Sequence, residues 1–80
     1  MQARQDGRGL VKRSLSLSGH RTSVALEAEF WMALEALAAA QGVTLVALVA
    51  SEDAARDPAR TLASALRVRA LQAGTRAAER

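Results

Sequence analysis

The segment Arg21-Thr22-Ser23-Val24-Ala25-Leu26 alternates polar and apolar residues, then runs directly into a helical pattern divided by Gly42. Alternation at period two marks a half-buried strand. A lone strand has two open edges and needs a neighbour to form a sheet. The expectation from this segment is pairing with the same strand of a second copy, which makes a symmetric two-stranded ribbon. Thr22, Val24 and Leu26 then face a shared core, and Arg21, Ser23 and Ala25 face solvent.

The size of the chain points the same way. A domain of 80 residues buries only about 60% of the surface of its unfolded chain. Half the residues are hydrophobic, but much of that share is alanine, which adds little to a core. No cysteine is present, so neither a disulfide nor a thiolate metal site makes up the deficit. Oligomerisation is the natural supplement. The expected fold is mostly α with a short β-ribbon, as an intertwined homodimer. No stretch approaches the roughly 20 apolar residues of a membrane span. Met1 to Gly9 is polar and carries no secretory h-region, so a cytoplasmic location is expected.

Residues 1–11 read as a flexible basic arm, residues 12–73 as one domain and residues 74–80 as a frayed tail. Residues 12–18 alternate as well, with Leu15 and Leu17 on one face and serines on the other. Between Leu17 and Val24 the apolar phase changes from odd to even positions. A slip of one residue exchanges the faces of a strand, so Gly19 marks a bulge or a turn. The first run is then a separate or sharply kinked strand.

Helix one starts near Glu27, with Glu27 and Glu29 in the first turn, where the helix dipole favours negative charge. Phe30, Ala33, Leu34 and Leu37 form its buried stripe, Trp31 lies just off it, and Gly42 suits the C′ position. Thr44 is the N-cap of helix two, whose buried face is Leu45, Ala47, Leu48 and Val49. Asp57-Pro58 is a start signal for a third helix, which runs to about Ala73 and stops at Gly74. Leu62, Leu66 and Ala70 mark its apolar side, with Arg60, Arg67 and Arg69 facing water or a partner.

Charge is segregated along the chain. Residues 1–21 carry a net +4, residues 22–55 a net −5 with no Lys or Arg, and residues 56–80 a net +4. Contact with nucleic acid therefore belongs to the N-terminal strand and arm, including Lys12 and Arg13, with the last helix as a possible addition. The plainer reading is that arginine-rich ends keep a small protein soluble.

A strand, a helix, a glycine turn and a second helix at this spacing resemble the ribbon-helix-helix family of bacterial DNA-binding proteins, the class of the Arc and methionine repressors. The resemblance covers Arg21 to about Asp53. The longer string Lys12-Arg13-Ser14, Gly19-His20-Arg21-Thr22-Ser23-Val24, Phe30-Trp31, Gly42, Ala47-Leu48-Val49 and Asp53-Ala54-Ala55-Arg56 resembles a small alpha-proteobacterial subfamily with an N-terminal extension and a third helix. The resemblance implies that Arg21, Ser23 and Ala25 read base edges. It also implies that the turn at Val43 and Thr44 offers backbone N–H groups to a phosphate. Lys12 and Arg13 would add phosphate contacts. Thr22, Val24, Leu26, Phe30, Leu34, Leu37, Leu45, Leu48 and Val49 would form the dimer core. Of the outward residues only Arg21 can make a bidentate guanine contact.

Other residues carry little chemistry. His20 is the only histidine and reads as a turn residue, since a metal site needs three or four converging ligands. Ser14, Ser16, Ser18 and Ser23 have no base to activate them. Glu52 and Asp53 read as solvated or capping groups, with Arg56 a candidate partner for Asp53. Phe30 and Trp31 read as core, not as a stacking platform. The reading is a dimeric DNA-binding regulator without cofactor or metal, not an enzyme. The alternatives are an antitoxin of a toxin–antitoxin pair, or a dimerisation and protein-interaction module whose DNA face is lost.

Overall fold

The computed structural model describes residues 9–78, with side chains to Thr75. Two strands, β1 (Leu10–Leu17) and β2 (His20–Glu27), are followed by α1 (Ala28–Gln41), α2 (Leu45–Ala55) and α3 (Leu62–Ala78). The strands form one antiparallel hairpin with eight residue pairs, from Leu17↔His20 at the turn to Leu10↔Glu27 at the open end. Ser18 and Gly19 alone make the turn, with φ of 50° and 83°. Positive φ at both central residues is the I′ geometry, whose twist matches that of the flanking strands.

This hairpin corrects the premise of a strand without a partner in its own chain. A two-residue turn pairs odd positions of β1 with even positions of β2, so the change of apolar phase leaves one continuous apolar face. Leu15, Leu17, Val24 and Leu26 are all buried on it. The first strand also begins earlier than expected, at Leu10, which removes residues 10 and 11 from the arm. Residues 1–8 lie outside the described residues.

The helices cover the apolar face. Leu26, Leu34, Val49 and Leu66 are each 0% exposed and Trp31 is 1% exposed. Each wholly buried leucine is worth about 1.5–3 kcal/mol. Of the residues assigned to a dimer core, Val24, Leu26, Leu34, Leu48 and Val49 are buried within one chain. Phe30, Leu37 and Leu45 pack against them, and Thr22 is half-buried opposite Leu15. β1 and α3 contribute Leu15, Leu17, Leu66 and Ala70 to the same core.

The stripe of α1 is turned from the expected one: Trp31, Leu34 and Ala38 are buried, while Phe30, Ala33 and Leu37 pack at its flank. The helix meets the hairpin on one side and α3 on the other, so its buried arc is wide. It closes in a Schellman motif on Gly42, at φ 71°, with the Gly42 and Val43 amides donating to Ala39 and Ala38. Ala47 is exposed on α2, and the Thr44 hydroxyl accepts from its amide at 3.0 Å. Asp57-Pro58 opens a single turn, not a helix. Asp57 Oδ1 accepts from the Ala59 amide at 2.9 Å, and α3 starts only at Leu62, where the Thr61 hydroxyl accepts from Ser64. Gly74 lies inside α3, which continues to Ala78. Among the described residues no single helix is long and apolar enough to cross a membrane.

Candidate nucleic-acid interface

Alternation that buries one face of the hairpin exposes the other. Lys12, Ser14 and Ser16 of β1 share that outer face with Arg21, Ser23 and Ala25 of β2, in the cross-strand pairs Lys12↔Ala25, Ser14↔Ser23 and Ser16↔Arg21. All but the half-buried Ala25 are exposed. The Ser14 and Ser23 hydroxyls lie 3.4 Å apart. Arg21 Nη1 donates to Ser16 Oγ at 3.2 Å, which steadies the guanidinium over its own strand pair. The face is polar, with serines between a cation towards each end.

Arg13, expected to contact phosphate, falls on the other parity and is held by the chain itself. Its guanidinium lies 2.8 Å from Glu35 and 4.7 Å from the centre of the Trp31 ring. The Trp31 indole N–H donates to the Val11 carbonyl at 2.8 Å. Together these contacts fasten β1 to α1. At the turn between α1 and α2 the Val43 amide is committed to closing α1 and the Thr44 hydroxyl to capping α2. Of the two backbone amides expected to meet a phosphate there, that of Val43 is thus engaged within the chain. His20 begins β2, beside the turn.

Ion pairing explains the segregated charge. Arg67 reaches Glu27 at 3.1 Å, Arg69 reaches Glu52 at 3.2 Å and Arg56 reaches Asp53 at 2.8 Å. Arg13, Arg56, Arg67 and Arg69 thus fold back on acids of the middle segment. These half-exposed pairs are individually weak. Their effect is to leave only Lys12, Arg21 and Arg60, among the described residues, unpaired with any described acid. Arg60 donates to Ser64 beside α3. The other two stand on the outer face of the hairpin.

Sequence reasoning missed Ser14 and Ser16 as members of this face. The signal was present in the change of phase across Ser18-Gly19, which fits a two-residue hairpin. A family model described as a ribbon-helix-helix domain matches residues 10–73, four fifths of the chain. No curated protein and no solved structure matches.

Proposed function

This chain belongs to the ribbon-helix-helix family, and from that premise we propose that it is a DNA-binding regulator that lays the outer face of its β1–β2 ribbon in the major groove. The observation that carries the reading is the position of Lys12 and Arg21. They are the unpaired cations of the β-ribbon, and nothing larger than serine separates them on that face. The major groove admits a two-stranded ribbon. Arg21 suits a guanine edge, Ser16 and Ser23 any base edge and Ala25 a thymine methyl, while Lys12 suits a phosphate.

Fluorescence anisotropy on duplex DNA, titrated with salt, tests the reading. Lys12→Ala should lower the slope of log affinity against log salt by roughly 0.9. Arg21→Ala should cost about tenfold or more in affinity for a preferred duplex. Absence of binding at about 50 mM salt, where the phosphate attraction is strong, would refute the reading.

One observation favours a second reading, a protein-interaction module. An open apolar groove between α1 and α3 is lined by Phe30, Ala33, Ala70, Leu71 and Gly74, and Met32 and Leu71 are about two-thirds exposed. The antitoxin alternative has less support. Leu66 of α3 is wholly buried in the core, so that helix is a structural element and not a spare tail.

A further inference from the structure

We propose that β1 is the outer strand of a four-stranded sheet, ordered β1–β2–β2–β1, which two copies of the chain build by pairing along the free edge of β2. This inference rests on the DNA-binding reading above for its use of the sheet, while the pairing itself is tested without DNA. The hairpin leaves each strand one open edge. Leu17 and His20 form the hydrogen-bonded pair beside the two-residue turn, so alternation turns the backbone groups of Thr22, Val24 and Leu26 towards β1. Those of Arg21, Ser23 and Ala25 point away from β1. Among the described residues no other element accepts or donates a backbone hydrogen bond there.

Charge distinguishes the two edges. Proteins guard strand edges with charged side chains and with charges on the inner face. β1 carries both at its middle, Lys12 on the outer face and Arg13 on the other, held by Glu35. β2 carries no charge from Thr22 to Leu26, and this stretch is complementary to itself. A two-fold axis at Ser23 sets Ser23 beside its own copy, Arg21 beside Ala25 of the partner subunit and Thr22 beside Val24 of the partner subunit. Each pair joins residues of one face, and the hydrogen-bonded pairs use the free groups of Arg21, Ser23 and Ala25. An axis at Val24 would instead place Arg21 against Glu27 of the partner subunit, and the Glu27 carboxylate is already held by Arg67. The occupant that fits the edge is a second copy.

The pairing assigns β1 its place on DNA. Neighbouring strands lie about 4.8 Å apart, so the two β1 strands stand roughly 14 Å from each other. The major groove is about 12 Å wide. The β2 pair therefore enters the groove, and each β1 lies over a rim with its Lys12 at a phosphate. Arg21 has short neighbours on both sides, Ser16 at 3.2 Å within the chain and the partner subunit's Ala25. Its guanidinium is thus free to extend towards a guanine. One chain supplies half of this surface, and the reading face is incomplete without the copy.

Single-cysteine variants test the edge, since the chain has no cysteine of its own. Ser14 and Ser23 are both exposed on the outer face. In the paired sheet the two Ser23 Cα atoms lie about 5.5 Å apart, within disulfide range, and the two Ser14 Cα atoms roughly 14 Å apart, outside it. At micromolar concentration Ser23→Cys should oxidise mainly to a linked dimer, and Ser14→Cys should stay unlinked. Amide exchange of the unsubstituted protein gives a second readout. The N–H groups of Arg21, Ser23 and Ala25 should slow as concentration rises, whereas those of Thr22 and Val24 are protected throughout. Equal linking of the two variants, or fast exchange at Arg21, Ser23 and Ala25 at every concentration, would overturn the sheet. On duplex DNA, Lys12→Ala should lower the salt slope by roughly 0.9 for each of the two lysines of a dimer. If the edge pairs but no duplex binds at about 50 mM salt, the DNA-binding reading fails and the sheet stands. If duplexes bind a single chain, the DNA-binding reading stands and the sheet fails.

Discussion

A cross-strand disulfide at Ser14 and Ser23 converts the hairpin into a chemical question. The two hydroxyls are 3.4 Å apart on the outer face. Counting from the two-residue turn, Leu17 and His20 form the first hydrogen-bonded pair, so alternation places Ser14 opposite Ser23 at a non-hydrogen-bonded position. Such a pair has Cα atoms about 4.5 Å apart, inside the range a disulfide spans. The chain has no cysteine, so Ser14→Cys with Ser23→Cys has one intrachain product. The bond closes a loop of about 10 residues, which the chain-entropy model values at about 2.7 kcal/mol. Losing an exposed serine–serine hydrogen bond returns about 0.5 kcal/mol of that. A net gain of roughly 2 kcal/mol should raise Tm by on the order of 10 °C for a domain of this size. Mass spectrometry and non-reducing gels identify the product, and thermal unfolding with and without reductant measures the gain in the same protein. Dimers linked from position 14 of one chain to position 23 of another, as the main oxidised product at micromolar concentration, would refute the reasoning, because β1 would then be paired with another chain. An intrachain bond that lowers Tm would refute the register.

Two further outcomes follow from the packing. Trp31→Phe removes the donor to the Val11 carbonyl and should cost about 2 kcal/mol, measured by urea unfolding, with faster amide exchange in β1. Glu27 is held below the usual carboxylate range by a hydrogen bond with its own backbone and then by Arg67. A carboxylate whose pKa folding lowers stabilises the protein above its ordinary value, and that contribution fades as pH falls through the lowered one. Glu27→Gln should therefore flatten the acid side of the stability–pH profile, with wild-type and variant urea midpoints converging at low pH. An unchanged difference across that range would sink the assignment.

The legible parts of this molecule are those with local causes. Thr44 before Leu45 capped α2 as expected, Gly42 closed α1 in the left-handed region, and Asp53 paired with Arg56. Asp57-Pro58 was equally local but misled. Asp57 caps a single turn, and Thr61, four residues later, starts the helix. Gly74 passed through α3 because a glycine costs a helix only about 1 kcal/mol, too little to end one. Lys12 and Arg13 look alike as neighbours in sequence. Only the parity of the hairpin separates them, sending Lys12 outward and Arg13 onto Trp31 and Glu35.

The sequence by itself determined the two alternating runs, the faces on which Leu15, Leu17, Val24 and Leu26 lie, the helical pair broken at Gly42 and the outward set Arg21, Ser23 and Ala25. These follow from period and from turn chemistry, which act over a few residues. Tertiary structure alone decided which strand lies on the paired edge of β2. A strand edge accepts any strand of suitable register, and its backbone groups do not distinguish the same chain from another. That choice rests on the turn at Ser18-Gly19 and on contacts between residues 20 or more positions apart, Trp31 with Val11 and Arg13 with Glu35. No local pattern encodes contacts at that separation, and they set β1 beside β2 within one chain.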